Sequence, residues 1–178
     1  DAPPENGVLS CAVKFAPDGS EGAIAVCLKP DGGPPHVEVA QARSLSHGIG
    51  WARDWLLARR DKLALAVVDG LSAAAALTTE LEREKYPKPG YAIAKSADVV
   101  AACSMLADAV KAGEVTHFGQ PDLDAAVTCC GKRRIGNAGG FGFESNDNGD
   151  ATLAEAAALA YWAAVTTKRR PGRKLRVG

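Results

Sequence analysis

Two aspartates stand where their residue type and position could do chemistry. Asp69 follows the apolar run 63–68 and precedes Gly70, and Asp150 opens an alanine-rich run that continues to about Thr167. In sheets with parallel strands, ligands collect at the carboxyl ends of the strands. Carboxylates placed there suit hard divalent cations, which take oxygen ligands. Each aspartate also has a plainer use, Asp69 as a turn residue and Asp150 as a helix N-cap. Further acids lie near in sequence: Asp18 in the turn Pro17-Asp18-Gly19, and Glu144 and Asp147 in a stretch of four glycines over 139–150. Lys132, Arg133 and Arg134 border that stretch and could meet phosphates, which fix position without reading sequence. A second cationic run, Lys168, Arg169, Arg170, Arg173, Lys174 and Arg176, ends the chain.

Other chemistries are poorly provided for. The five cysteines show no Cys-x-x-Cys spacing and His36, His47 and His117 are scattered, so a local zinc site is not expected. Cys11, Cys27, Cys103, Cys129 and Cys130 read as reduced core residues. No phosphate-binding glycine loop of the nucleotide-binding types is present. The charge balance is 21 against 21, but without the six terminal cations the body carries 15 basic and 21 acidic residues. A basic tail on an acidic body points to a polyanionic partner. No run of about 18 apolar residues occurs, so no membrane helix is expected. The chain begins at Asp1 with no leader pattern and reads as a piece of a longer protein.

The positioning elements follow from periodicity. Runs 8–15, 22–28 and 37–41, separated by Pro/Gly/Asp breakers, predict three strands in an antiparallel meander. Ile49, Trp51, Ala52, Trp55, Leu56 and Leu57 share one helical face, with the helix ending near Arg60. Run 63–68 predicts a strand buried on both faces, as in parallel pairing. A helix capped by Ser72 is expected over 73–85, a short strand over 91–94, and a helix over 96–112 stopped by Gly113. A helix over 122–130, a glycine-rich hairpin or loop over 132–143, and a long helix from Asp150 complete the order. Three strands, then α, β, α, β and α, imply a mixed α/β sheet, its first three strands antiparallel and the rest parallel, flanked by helices. A mixed sheet with one acid on its first strand, one after its fourth and one on a late helix is the ribonuclease-H-like arrangement, and the order here resembles it. Residues 1–167 form one domain and 168–178 a basic tail.

Four segments in order resemble the C-terminal nuclease domain of phage terminase large subunits: Ala12-Val13-Lys14-Phe15-Ala16-Pro17-Asp18-Gly19-Ser20, Val67-Val68-Asp69-Gly70, residues 108–123 with His117 and Gly119-Gln120-Pro121-Asp122-Leu123, and Asp150-Ala151-Thr152-Leu153 with the small residues after it. The resemblance spans about residues 8–167. It implies a divalent-metal-dependent endodeoxyribonuclease, a hydrolase that cuts concatemeric double-stranded viral DNA with one or two Mg²⁺ or Mn²⁺ ions. Asp69 and Asp150 would be catalytic metal ligands, with Asp18 and Asp147 as candidates to complete the set. Lys132, Arg133, Arg134, Lys168, Arg169 and Arg170 would contact DNA. It also implies an ATPase domain upstream, the portal and the small terminase subunit as candidate partners, and the host cytoplasm as location.

One residue departs from the resemblance. Lys14 stands where many members carry a metal-binding aspartate on the first strand, and a protonated lysine cannot ligate a metal. Lys14 could instead supply a fixed positive charge at the catalytic locus. The alternative function is a catalytically weakened domain that mainly binds DNA or docks on the portal. Another ribonuclease-H-like enzyme, a recombination nuclease or transposase, is disfavoured by the segment 108–123.

Overall fold

The computed structural model describes residues 6–147 and 149–171. Its chain order is β1 (Gly7–Phe15), β2 (Glu21–Pro30), β3 (His36–Ser44), α1 (Gly50–Leu57), β4 (Ala66–Asp69), α2 (Leu71–Arg83), β5 (Tyr91–Ile93), α3 (Ser96–Ala112), α4 (Pro121–Cys129), β6 (Gly131–Ile135), β7 (Gly140–Glu144) and α5 (Thr152–Thr166). Five strands form one sheet in the order β3-β2-β1-β4-β5, and β6 and β7 form a separate hairpin. β1–β2 and β2–β3 are antiparallel, whereas β1–β4 and β4–β5 are parallel. This is the mixed, ribonuclease-H-like sheet that the sequence pattern predicts.

Alternation along the strands decides which helices lie on which face. Cys11, Val13 and Phe15 join Ile24, Ala66 and Val68 in a core beneath α1 and α2. Ala12, Ala23, Ala25, Cys27 and Val67 face the other way, toward α3, α4 and α5. The residues on this second face are mostly small, and α5 answers them with Ala154, Ala156, Ala157, Ala158, Ala160, Ala163 and Ala164, all buried. Small residues on both sides let the helix lie close to the sheet at interior packing density. A helix buried nearly all round needs no polar face, which explains its near-continuous apolar sequence.

Several boundaries differ from the sequence expectation by a few residues, and three of them have a direct structural cause. β4 begins at Ala66, although the apolar run starts at residue 63; Leu63 and Ala64 are fully buried ahead of the strand. Burial alone produced that part of the pattern. α2 begins at Leu71 with Gly70 at its N-cap and no side-chain cap, so Ser72 lies inside the helix. α5 begins at Thr152 with Ala151 as N-cap. Asp150 still accepts a hydrogen bond from the Thr152 amide at 2.8 Å, so it serves the first turn from one residue further out.

Candidate active site

Lys14 and Asp69 are register partners on the adjacent parallel strands β1 and β4. By alternation, Lys14 shares the face of Ala12, and Asp69 that of Val67; both therefore point toward α5. Gly70 ends the strand with φ +127, and a Cβ there would lie 2.5 Å from Phe15 Cβ. Only glycine fits that turn, and it leaves Asp69 as the last strand residue, at the sheet's carboxyl edge.

One side chain of α5 meets this pair. Lys14 Nζ donates to Asp69 Oδ2 at 2.5 Å and lies 2.7 Å from Glu155 Oε2. Arg133 Nη2, from β6, donates to Glu155 Oε1 at 2.9 Å. Relative side-chain exposure is 6% for Lys14 and 5% for Glu155, against 19% for Asp69 and 40% for Arg133. The network is thus dry at its centre and open toward Asp69 and Arg133. Burial opposes the charged form of Lys14, but the Glu155 and Asp69 carboxylates outweigh it and hold its pKa above the ordinary lysine value.

Glu155 was not among the residues expected from sequence to form the site. The available signal was its isolation, because it is the sole charged residue between Asp150 and Lys168. A buried charge requires a partner, and Lys14 and Arg133 supply two.

The Lys14–Glu155 pair separates two clefts. One, of about 560 Å³, is bordered by Lys14, Asp69, Gly70, Lys95, Ser96 and Arg133. The other, of about 570 Å³, is bordered by Asp18, Arg133, Glu144, Ser145, Asp150 and Glu155. Asp69 and Asp150 therefore open onto different clefts, with Arg133 bordering both.

Asp150 Oδ1 accepts hydrogen bonds from Ser145 Oγ, the Thr152 amide and Thr152 Oγ1, each at 2.8 Å. Burial pushes its carboxyl up, but hydrogen bonds from Glu21, Thr152 and Ser145 overcome this and hold its pKa below the usual value. Across that contact, the hydrogen bond with Asp150 and burial push Glu21 up to about 7. Asp18 binds the Ser20 amide and hydroxyl at 2.9 and 2.6 Å, and Asp147 is exposed in a turn.

The cationic candidates divide between two ends of the molecule. Lys132 and Arg134 are exposed on β6, on the opposite face from the inward-turned Arg133. Lys132 Nζ lies 4.3 Å from the centre of the Phe141 ring. Arg169 instead donates to the Ala64 carbonyl, and Arg170 to Asp31 at 2.9 Å. Asp31 follows the end of β2 that pairs with Gly7. Lys14 is seven residue steps along β1 from Gly7, roughly 23 Å at ~3.3 Å per step, so Arg170 lies at the end of the sheet away from Asp69. Lys168 is exposed, and Arg173, Lys174 and Arg176 lie outside the described residues.

Metal binding can be tested against this arrangement. Among the described residues, no group of three or more His, Cys, Asp or Glu side chains gathers into a metal site. Asp69 and Glu155 have the Lys14 ammonium between their carboxylates, and Asp150 is engaged by Glu21, Thr152 and Ser145. As arranged, these residues do not fit a divalent ion. Among the described residues no helix is long and apolar enough to cross a membrane.

The sheet order and the helix-covered faces define a ribonuclease-H-like fold. Within that fold class, the structure is similar to nuclease domains of phage large terminases. The nuclease of thermophilic phage G20c aligns at TM-score 0.68 and 16% identity, over 88% of this chain and 82% of that one. Structures of the same nuclease with bound magnesium and with bound cobalt align at TM-scores 0.59 and 0.63, each at 17% identity. The large terminase of bacteriophage HK97 aligns at TM-score 0.64 and 12% identity, over 89% of this chain and 40% of that one. The chain therefore spans well under half the length of that terminase. No family model and no curated protein matches the chain.

Proposed function

We propose that the chain is an endodeoxyribonuclease domain of the DNA-packaging terminase type, a hydrolase that cuts phosphodiester bonds of concatemeric double-stranded DNA. In the full protein it would be joined to an ATPase domain and would work with the portal and the small terminase subunit in the host cytoplasm. The observation that carries this reading is the convergence of Asp69 and Glu155 on one point at the carboxyl ends of β1 and β4, beneath Arg133, in a fold shared with terminase nucleases. Charge developing on a phosphate is best stabilised by fixed donors aimed at it. Arg133 and Lys95 border the Asp69 cleft and are suited to that role. Asp69, the more open carboxylate, can orient a water and accept its proton.

Mg²⁺ or Mn²⁺ is the cofactor that the resemblance implies, and the magnesium- and cobalt-bound G20c nuclease supports divalent ions in proteins of this fold. The donors of this chain do not fit such an ion while Lys14 holds them, so no step is assigned to one. That observation favours a second reading, in which cleavage is weakened and the domain mainly grips DNA or docks on the portal.

Incubation of the protein with supercoiled plasmid in Mg²⁺, Mn²⁺ or EDTA separates the two. The first reading expects nicked and linear products that disappear in Asp69→Asn and Glu155→Gln. DNA retardation without cleavage under every condition would leave the second reading standing.

A further inference from the structure

The charges at the centre of the site already balance. Lys14 and Arg133 bring two positive charges and Asp69 and Glu155 two negative, linked in one chain of contacts at 2.5, 2.7 and 2.9 Å. A divalent cation entering between the carboxylates would meet an ammonium at ligand distance. It would also leave two uncompensated positive charges in a pocket whose central groups are about 95% removed from solvent. Like charges at that separation repel strongly where water cannot screen them. Nor can Lys14 step aside easily. It sits on β1, the middle strand, with β2 and β4 hydrogen-bonded on either side, and α5 packs over its face.

We propose that Lys14 is a built-in replacement for a divalent cation: its Nζ occupies the cation position between Asp69 and Glu155, and the domain assembles this site without metal. The inference concerns how the site is charged, and it stands whether or not the domain cleaves DNA. Its test therefore reads metal uptake and folding rather than cleavage.

The full chain is titrated with Mn²⁺ by calorimetry, and its thermal midpoint is followed with and without Mn²⁺, for the wild type, Lys14→Asp and Lys14→Ala. The wild type should show no saturable Mn²⁺ binding up to millimolar concentration and no midpoint shift. Lys14→Asp, which presents a third carboxylate in place of the ammonium, should bind Mn²⁺ at least tenfold more tightly and gain thermal stability from it. If Lys14→Asp folds only when Mn²⁺ is added, that also supports the replacement. Saturable Mn²⁺ binding by the wild type that Asp69→Asn abolishes would overturn the proposal. So would a folded Lys14→Asp that binds Mn²⁺ no better than the wild type. Should Lys14→Asp fail to fold under any condition, Lys14→Ala is read by the same criterion, and the wild-type titration decides by itself.

Discussion

Replacing Lys14 with methionine keeps an unbranched, flexible stem of similar length and deletes the charge. Asp69 loses its ammonium partner, and Glu155 keeps only the more exposed Arg133. Removing one partner of a buried pair leaves an uncompensated charge and costs about 3–5 kcal/mol. Against a total stability of about 5–15 kcal/mol, that is a large fraction. For a domain of this size each kcal/mol moves the thermal midpoint by about 2–4 °C, giving a drop of about 6–20 °C. The pH dependence carries the sharper signature. In the wild type the folded-state pKa of Lys14 lies above the ordinary 10.5. Its contribution is therefore complete below that value and lost only as pH rises through the higher, folded-state one. The penalty of Lys14→Met should therefore stay undiminished from pH 7 to pH 9, both of which lie below that value. Urea unfolding followed by tryptophan fluorescence at pH 7 and 9 measures this. A penalty under about 1 kcal/mol, or one largely lost by pH 9, would refute the placement of Lys14 as the internal counter-ion.

Glu21, pushed up to about 7 by its contact with Asp150 and by burial, holds its proton more tightly folded than unfolded. Stability should therefore fall as pH rises from 4.5 through 7, and Glu21→Gln should remove about 1 kcal/mol of that decline after solvent screening, read as the difference between urea midpoints at pH 5 and 8. Gly70→Ala should destabilise by about 2–4 kcal/mol, because a side chain at that φ is strained and would collide with Phe15; thermal unfolding checks it. Deleting residues 168–178 should flatten the slope of log DNA affinity against log salt by about two to five units. Deleting 172–178 alone should reproduce most of that, since Arg169 and Arg170 are held by Ala64 and Asp31; fluorescence anisotropy on a DNA duplex at several salt concentrations measures both.

Much of the fold is written in local pattern. α3 spans Ser96–Ala112 and stops at Gly113 in the left-handed conformation, where the helical period and the glycine together place it. The meander and the hairpin β6–β7 follow from breaker residues at intervals that suit strands. Asp69 stands out because a charge after a fully buried run marks a strand end. Lys14 and Arg133 were also legible by residue type, but Glu155 and its pairing with Lys14 escaped for a physical reason. Lys14 and Glu155 are 141 positions apart, and their pairing depends on which face of β1 meets which turn of α5. Asp150 drew attention as a helix-opening acid, and the structure occupies it with the Ser145 and Thr152 hydroxyls and the Thr152 amide. Glu155, one turn further in, carries the contact with Lys14. The run 63–68 shows the limit from another side, since burial before a strand and burial within it look alike in sequence.

The alanines of α5 have a consequence for how this domain tolerates random change. The depth at which Glu155 hangs over Lys14 is set by a layer one methyl group thick between helix and sheet. Widening any member of that layer, such as Ala156 or Ala160, would lift the helix and part the ion pair without altering a single charge. The outward-facing Lys132 and Arg134 lie outside that layer. The positions least forgiving of mutation are thus chemically the blandest in the chain, and a lineage could keep this charged centre while most of its surface is rewritten.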